Sequence, residues 1–234
     1  GLEYEGAVRF NDGNRRFDDG FALNNWRLGT WRNAAGDQYG QYELFMDGTA
    51  PSEVSSGNNT GLPGTSDDLY YIGAGLTTGS TFSSTRFFSG DMAEMIVYHY
   101  ELNDAQRTIV ENYLAAKYHD QIAISNDYYD FESSHGKDVA GIGRTDAGNF
   151  HTAAQSARTL RISNASDLDD NEFLLFGHNG ADASAWSASG TPDENVQMLN
   201  RTWRISETGD VGDITIQLDT SLLPVRPSEY SLYN

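Results

Sequence analysis

Hydrophobic positions along most of the chain fall in short alternating runs, and one stretch departs from that habit. Residues 92–98 are apolar except for Glu94, and Ile96, Val97 and Tyr98 favour strands, so the run predicts a mostly buried strand. Leu102 then precedes Asn103, a good N-cap, with Asp104 in the first turn and Gln106 at the capping-box position. Beyond it Val110, Tyr113, Leu114 and Lys117 fall at i, i+3, i+4 and i+7. That spacing predicts one amphipathic helix, ending near His119, that packs this stripe inward. It is the chain's only convincing helix pattern.

The rest reads as strands. Residues 7–10, 26–31, 41–46 and 69–72 are short runs, with Trp26, Leu28 and Thr30 on one face of the second. Asn11-Asp12-Gly13-Asn14, Asp18-Asp19-Gly20 and Asp47-Gly48 are turn signals between them. Residues 50–69, rich in Ser, Gly, Asn and Pro, carry no period and predict a long loop. Past a junction at 120–126, residues 159–163, 200–205 and 213–218 alternate, and 172–177 is a buried-type strand. The expectation is an all-β chain of two β-sandwich domains, 1–120 and 125–234. The helix closes the first, and the second has no helix of its own.

Charge narrows the partners. With 34 acidic and 15 basic residues the formal net charge is −19, which argues against nucleic acid and against an anionic membrane surface. It suits a cation, a neutral sugar or a peptide, and it also keeps an extracellular protein soluble. Cysteine is absent, so a secreted chain of this kind needs another staple, and calcium on surface carboxylates is the expected one. No apolar run approaches the ~20 residues of a membrane span, and no signal peptide is recognisable. The chain opens on Gly1-Leu2-Glu3-Tyr4, without methionine, and is expected to be a fragment of something larger.

Candidate chemistry begins with carboxylates. Asp167, Asp169 and Asn171 have calcium-loop spacing, yet Glu172 stands where an EF-hand needs glycine and His178 where it needs its final glutamate. A less regular calcium site, or a plain solvated loop, remains. Asp12, Asp18 and Asp19, with Asn14, form a second candidate set. Asp91 and Glu94 are three apart, so a strand would point them to opposite faces, which is wrong for a glycosidase pair. The five histidines lack zinc spacing, and no Gly-x-Ser-x-Gly elbow or phosphate loop occurs. No catalytic residue is assigned and the chain is expected not to be an enzyme. His178 and Asn179 at a polar loop tip, and Trp186 among small residues, are the expected ligand contacts.

Two resemblances add to this reading. Gly73, Phe88, Gly90-Asp91, Ala93-Glu94, Ile96, Tyr98, Leu102-Asn103-Asp104-Ala105, Tyr113-Leu114 and Lys117-Tyr118 together resemble the end of a laminin-G/concanavalin A-like jelly-roll. Phe45-Met46-Asp47-Gly48 is similar to a hairpin of the same domains. Ile142-Gly143-Arg144, residues 176–179, and Arg201, Trp203, Ile205 and residues 207–209 resemble the uncharacterised domain that follows such jelly-rolls in bacterial surface adhesins of the RTX/biofilm type. The resemblance implies that the first jelly-roll strands lie upstream of Gly1. It also implies an extracellular, cell-surface module within a long chain, recognising a glycan or peptide. A module that only spaces other domains is the alternative.

Overall fold

The computed structural model describes residues 8–9, 16–18, 25–32, 43–50, 52–55, 74–76, 82–88, 90–189, 191 and 196–224. The chain divides into two compact units, Gly1–Leu102 and Asn103–Asn234. The described elements are mostly strands in antiparallel sheets, with one long helix, so the chain is all-β as its patterning predicts.

The first unit contributes β1 (Val8–Arg9), β2 (Arg16–Asp18), β3 (Gly29–Arg32), β4 (Glu43–Met46), β5 (Ser52–Ser55), β6 (Ala74–Leu76) and β7 (Phe82–Phe87). They pair as β1-β2-β5, β3-β4 and β6-β7. After β4 the chain reverses through Asp47 and Gly48, whose φ angles of 48° and 81° are both positive, as a type I′ turn demands. Asp47 also accepts the Leu28 N–H at 2.8 Å, tying the turn to the start of β3. Among the described residues of this unit, Leu28, Leu44 and Met46 are buried. The expected buried strand over 92–98 is not formed. Its residues are exposed, Val97 at 81%, and no ladder among the described residues reaches them. Among the described residues no strand neighbours its backbone groups, so the apolar run has no sheet to join there.

The second unit contains α1 (Asp104–Lys117), α2 (Glu132–His135), β8 (Lys137–Asp146), β9 (Asn149–His151), β10 (Ala153–Ser156), β11 (Leu160–Ser163), β12 (Glu172–His178), β13 (Trp186–Ser187), β14 (Met198–Leu199), β15 (Trp203–Thr208) and β16 (Thr215–Leu218). One sheet runs β15-β12-β8-β9, a second β10-β11-β16, and β13-β14 is a separate hairpin. The side-chain period of two sends β8 and β12 residues to opposite faces. Ile142, Leu174 and Phe176 meet Leu160 and Ile162 of β11 in a core between the two sheets. Val139, Phe173 and Leu175 meet Tyr129 and the helix residues Ala105, Ile109 and Ala116 on the other face.

The helix therefore belongs to this unit and not to the first. The division falls at Leu102 and Asn103 rather than between 120 and 125, because α1 packs on β8 and β9. Its capping box forms as read from sequence: the Gln106 N–H donates to Asn103 Oδ1 at 2.9 Å, and the Asn103 N–H to Gln106 Oε1 at 3.1 Å. The buried stripe differs from the expected one. Ala105, Ile109 and Ala116 pack against the sheet and Thr108 and Asn112 are buried against residues 126–128, whereas Val110, Tyr113 and Leu114 are half-buried and Lys117 is exposed. The reason lies in the floor. A Cβ at Gly143 would overlap the Phe173 ring, and one at Gly141 would overlap Leu175. These glycines let both side chains lie across β8, where they fill the space that large helix residues would need.

Candidate functional site

The end of α1 approaches the single turn of α2 closely. A Cβ on Gly136 would meet the Glu132 carbonyl oxygen and would lie 2.7 Å from that of Ala116, so only glycine fits at that crossing. The α2 turn is pinned from below. The Tyr129 hydroxyl donates to the His135 carbonyl at 2.9 Å, and the Asp130 N–H donates to Ser206 Oγ at 2.9 Å. His135 is held between Ser134 Oγ at 2.9 Å and Thr202 Oγ1 at 3.0 Å. Burial, with the nearby Arg204 charge, keeps the His135 ring below its usual proton affinity.

Between the end of α1, α2 and the tip of β12 lies a polar cleft of about 350 Å³. Its working groups are Lys117, Tyr118, Asp120, Glu132, Lys137 and Asn179. Lys117 Nζ is 3.3 Å from the Tyr113 hydroxyl and 5.6 Å from the centre of the Tyr118 ring. Asp120 pairs with His119 at 3.1 Å. Burial raises the proton affinity of the Glu132 carboxyl, and the charge and hydrogen bond of Asp127 and the charge of Asp130 push the same way. Lys137 makes no ion pair with any described residue.

Of the three ligand contacts expected from sequence, Asn179 alone lines this cleft. Its amide is braced: Nδ2 donates to the Asn200 carbonyl at 3.0 Å, and Oδ1 accepts from Ala181 at 3.1 Å and Thr202 at 3.3 Å. One amide N–H is left over by that count. His178 is 3% exposed. Its Nδ1 accepts from the Gly180 N–H at 2.9 Å, so Nε2 carries the hydrogen and donates to Asp138 at 2.9 Å. Its ring also meets Trp203 edge-on. Trp186 is half-buried, with its indole N–H given to the Pro224 carbonyl at 3.1 Å. These two side chains hold the loop that follows β12 and the segment that follows β16.

Two carboxylates beside the calcium candidates are already engaged. Glu172 spends its oxygens on the N–H groups of Asp169 at 2.7 Å and Asp210 at 3.0 Å, which holds its proton affinity down. Asp170 pairs with Arg144 at 2.8 Å. Asp167, Asp169 and Asn171 are exposed, Asn171 in a left-handed turn at φ 66°. No group of three or more metal-ligating side chains converges among the described residues. Asp12 and Asp19 lie outside the described residues, and Asp18 is described only as part of β2.

Sequence reasoning passed over the residues that make the cleft. Glu132 and Lys137 carry no motif, and Lys117 read as the edge of a helix stripe. One signal was present: Lys117 and Lys137 are the only lysines in the chain.

Fold and site together define an all-β protein whose second unit adds a helix to one face of its larger sheet and opens a polar cleft at the end of that helix. The chain belongs to a family described as a domain of unknown function, DUF8202, whose model matches residues 106–234. The match begins inside α1, so the family's domain includes most of the helix. No curated protein and no solved structure matches the chain.

Proposed function

We propose that the chain is a non-catalytic recognition module of a larger extracellular surface protein, of the bacterial adhesin kind that its sequence resembles, and that the cleft beside α1 takes a saccharide. The observation that carries this reading is the lining. Ammonium, amide and hydroxyl donors stand with carboxylate acceptors around one opening, and a tyrosine ring lies among them. Sugars offer donors and acceptors in alternation around a ring that stacks on aromatics, so this mixture suits them. The volume is within the ~300–1,000 Å³ of ordinary small-ligand sites, at its lower end, which limits the occupant to one or two sugar rings.

An apolar ligand finds no apolar floor there. A nucleic acid or anionic membrane faces a net charge of −19. Calcium is no part of this proposal, because the carboxylates near Asp167 are committed to backbone N–H groups and to Arg144.

A glycan array probed with the whole chain tests the reading. Binding to a defined saccharide set, lost in Asn179→Ala and Tyr118→Ala, is the expected result. A blank array would return the chain to a spacer role. Hydrolysis of the bound saccharide would replace recognition by catalysis.

A further inference from the structure

The loop after β12 holds Asn179-Gly180, the only Asn-Gly step in the chain, and both residues are exposed. When glycine follows asparagine, the next backbone nitrogen reaches the side-chain carbonyl carbon most easily, because no Cβ stands in the way. Gly180 also has a φ of 75°, and a Cβ there would lie 3.2 Å from Lys137 Cγ, so the fold asks for glycine on its own account.

The groups around this step are placed as acyl transfer needs them. The Gly180 N–H donates to His178 Nδ1 at 2.9 Å. An amide N–H can only donate, so Nδ1 offers its lone pair and is a base toward that hydrogen. The opposite nitrogen, Nε2, donates to Asp138 at 2.9 Å, which fixes the tautomer and steadies an imidazolium. His178 is buried, and the edge of Trp203 completes its surroundings. The electrophile is held as firmly. Asn179 Oδ1 accepts from the N–H groups of Ala181 at 3.1 Å and Thr202 at 3.3 Å, while Nδ2 donates to the Asn200 carbonyl at 3.0 Å. Those partners decide which amide atom is oxygen. Two backbone donors on one carbonyl oxygen polarise its carbon and stabilise the charge of a tetrahedral intermediate.

The geometry points to a self-modifying site, in which Asn179 cyclises onto the Gly180 nitrogen with His178 as general base and Asp138 as its positioning residue. Gly180 N bonds to Asn179 Cγ, and the Cγ–Nδ2 bond breaks. The Gly180 proton leaves in the plane of its amide to His178 Nδ1 and passes to the departing nitrogen, which is released as ammonia. Water then opens the imide at either carbonyl and leaves aspartate or isoaspartate. A neutral amide lining the cleft becomes a carboxylate, whatever the cleft binds.

The test follows the whole chain, folded at neutral pH and in parallel unfolded in urea, by peptide mapping of Asn179 conversion to aspartate or isoaspartate. Sequence alone lets an Asn-Gly step react in the unfolded chain, and a fold that merely holds the loop slows it. A positioned base contributes ~10²–10⁴-fold, so the folded chain should convert Asn179 at least roughly tenfold faster than the unfolded one. His178→Gln should remove that excess while the chain still melts cooperatively. Where the buried substitution does not fold, Asp138→Asn replaces it, because Asn tolerates the left-handed φ of 47° at that position, and the excess should shrink likewise. Equal or slower conversion in the folded chain would overturn the inference, and so would an excess unchanged in the folded variant.

Discussion

Glu132 shows how one side chain can tie the cleft to pH. Its carboxyl is partly buried, bonded to Asp127 and near Asp130, all of which favour the protonated form. In the unfolded chain it titrates near the ordinary glutamate value of ~4.3. Because the folded value is raised, its contribution to stability is complete below ~4.3 and is lost as pH rises through the folded value. Glu132→Gln, which cannot ionise, should therefore melt above the parent at neutral and alkaline pH, and the two should converge near pH ~4. A gap of constant size across that range in thermal melts would show that the carboxyl ionises freely. His135 acts in the opposite sense. Burial depresses its proton affinity, so its contribution is present above the ordinary histidine value of ~6.5 and is lost as pH falls through the folded one.

At the scale of elements, α1 shows what patterning can and cannot reveal. The cap was legible, because Asn103 and Gln106 act within one turn and need no knowledge of the rest of the fold. The packed face was not. Counting apolar residues selects Val110, Tyr113 and Leu114, yet the helix buries small and polar residues because Phe173, Leu175 and Tyr129 already fill the floor. The polar residues are tolerated because they are paired. Glu111 Oε2 takes Arg107 at 2.7 Å and Asn126 at 2.9 Å. Asn112 donates to the Thr108 and Asn126 carbonyls and accepts the Tyr128 N–H at 2.7 Å, clamping the segment after α1 onto the helix. Asn112→Ala leaves the Tyr128 N–H without its acceptor and should cost about 1–3 kcal/mol in urea unfolding. A loss below the error of that measurement would mean that water replaces the clamp.

Across the molecule, strand content and turns were readable and partnership was not. The pattern of residues 172–177 names β12 because a strand buried on both faces is apolar throughout, and Asp47-Gly48 names its turn by chemistry alone. Residues 92–98 have the same apolar character and remain exposed, since composition does not say whether a neighbouring strand exists. The cleft was hidden for a related reason: it is built where α1, α2 and β12 meet, and no segment contains it.

The assignment of α1 to the second unit has a direct consequence. A fragment spanning Asn103–Asn234 should fold alone with a cooperative melt, and one spanning 125–234 should not. Removing the helix uncovers Val139, Phe173 and Leu175. At roughly 1.5–3 kcal/mol each, their loss approaches the whole ~5–15 kcal/mol margin of a typical domain. A cooperative melt of the shorter fragment would return the helix to the first unit.

The central claim is that the cleft beside α1 is where a saccharide binds, and the scarcity of lysine makes it open to a single observation. Reductive ¹³C-methylation keeps the charge and marks only Lys117 and Lys137 besides the amino terminus, so a methyl NMR spectrum reports the cleft directly. Adding a saccharide that the array shows to bind should shift both lysine signals, saturably and in step with binding, while the amino-terminal signal stays in place. Unshifted lysine signals at saturation would contradict the account.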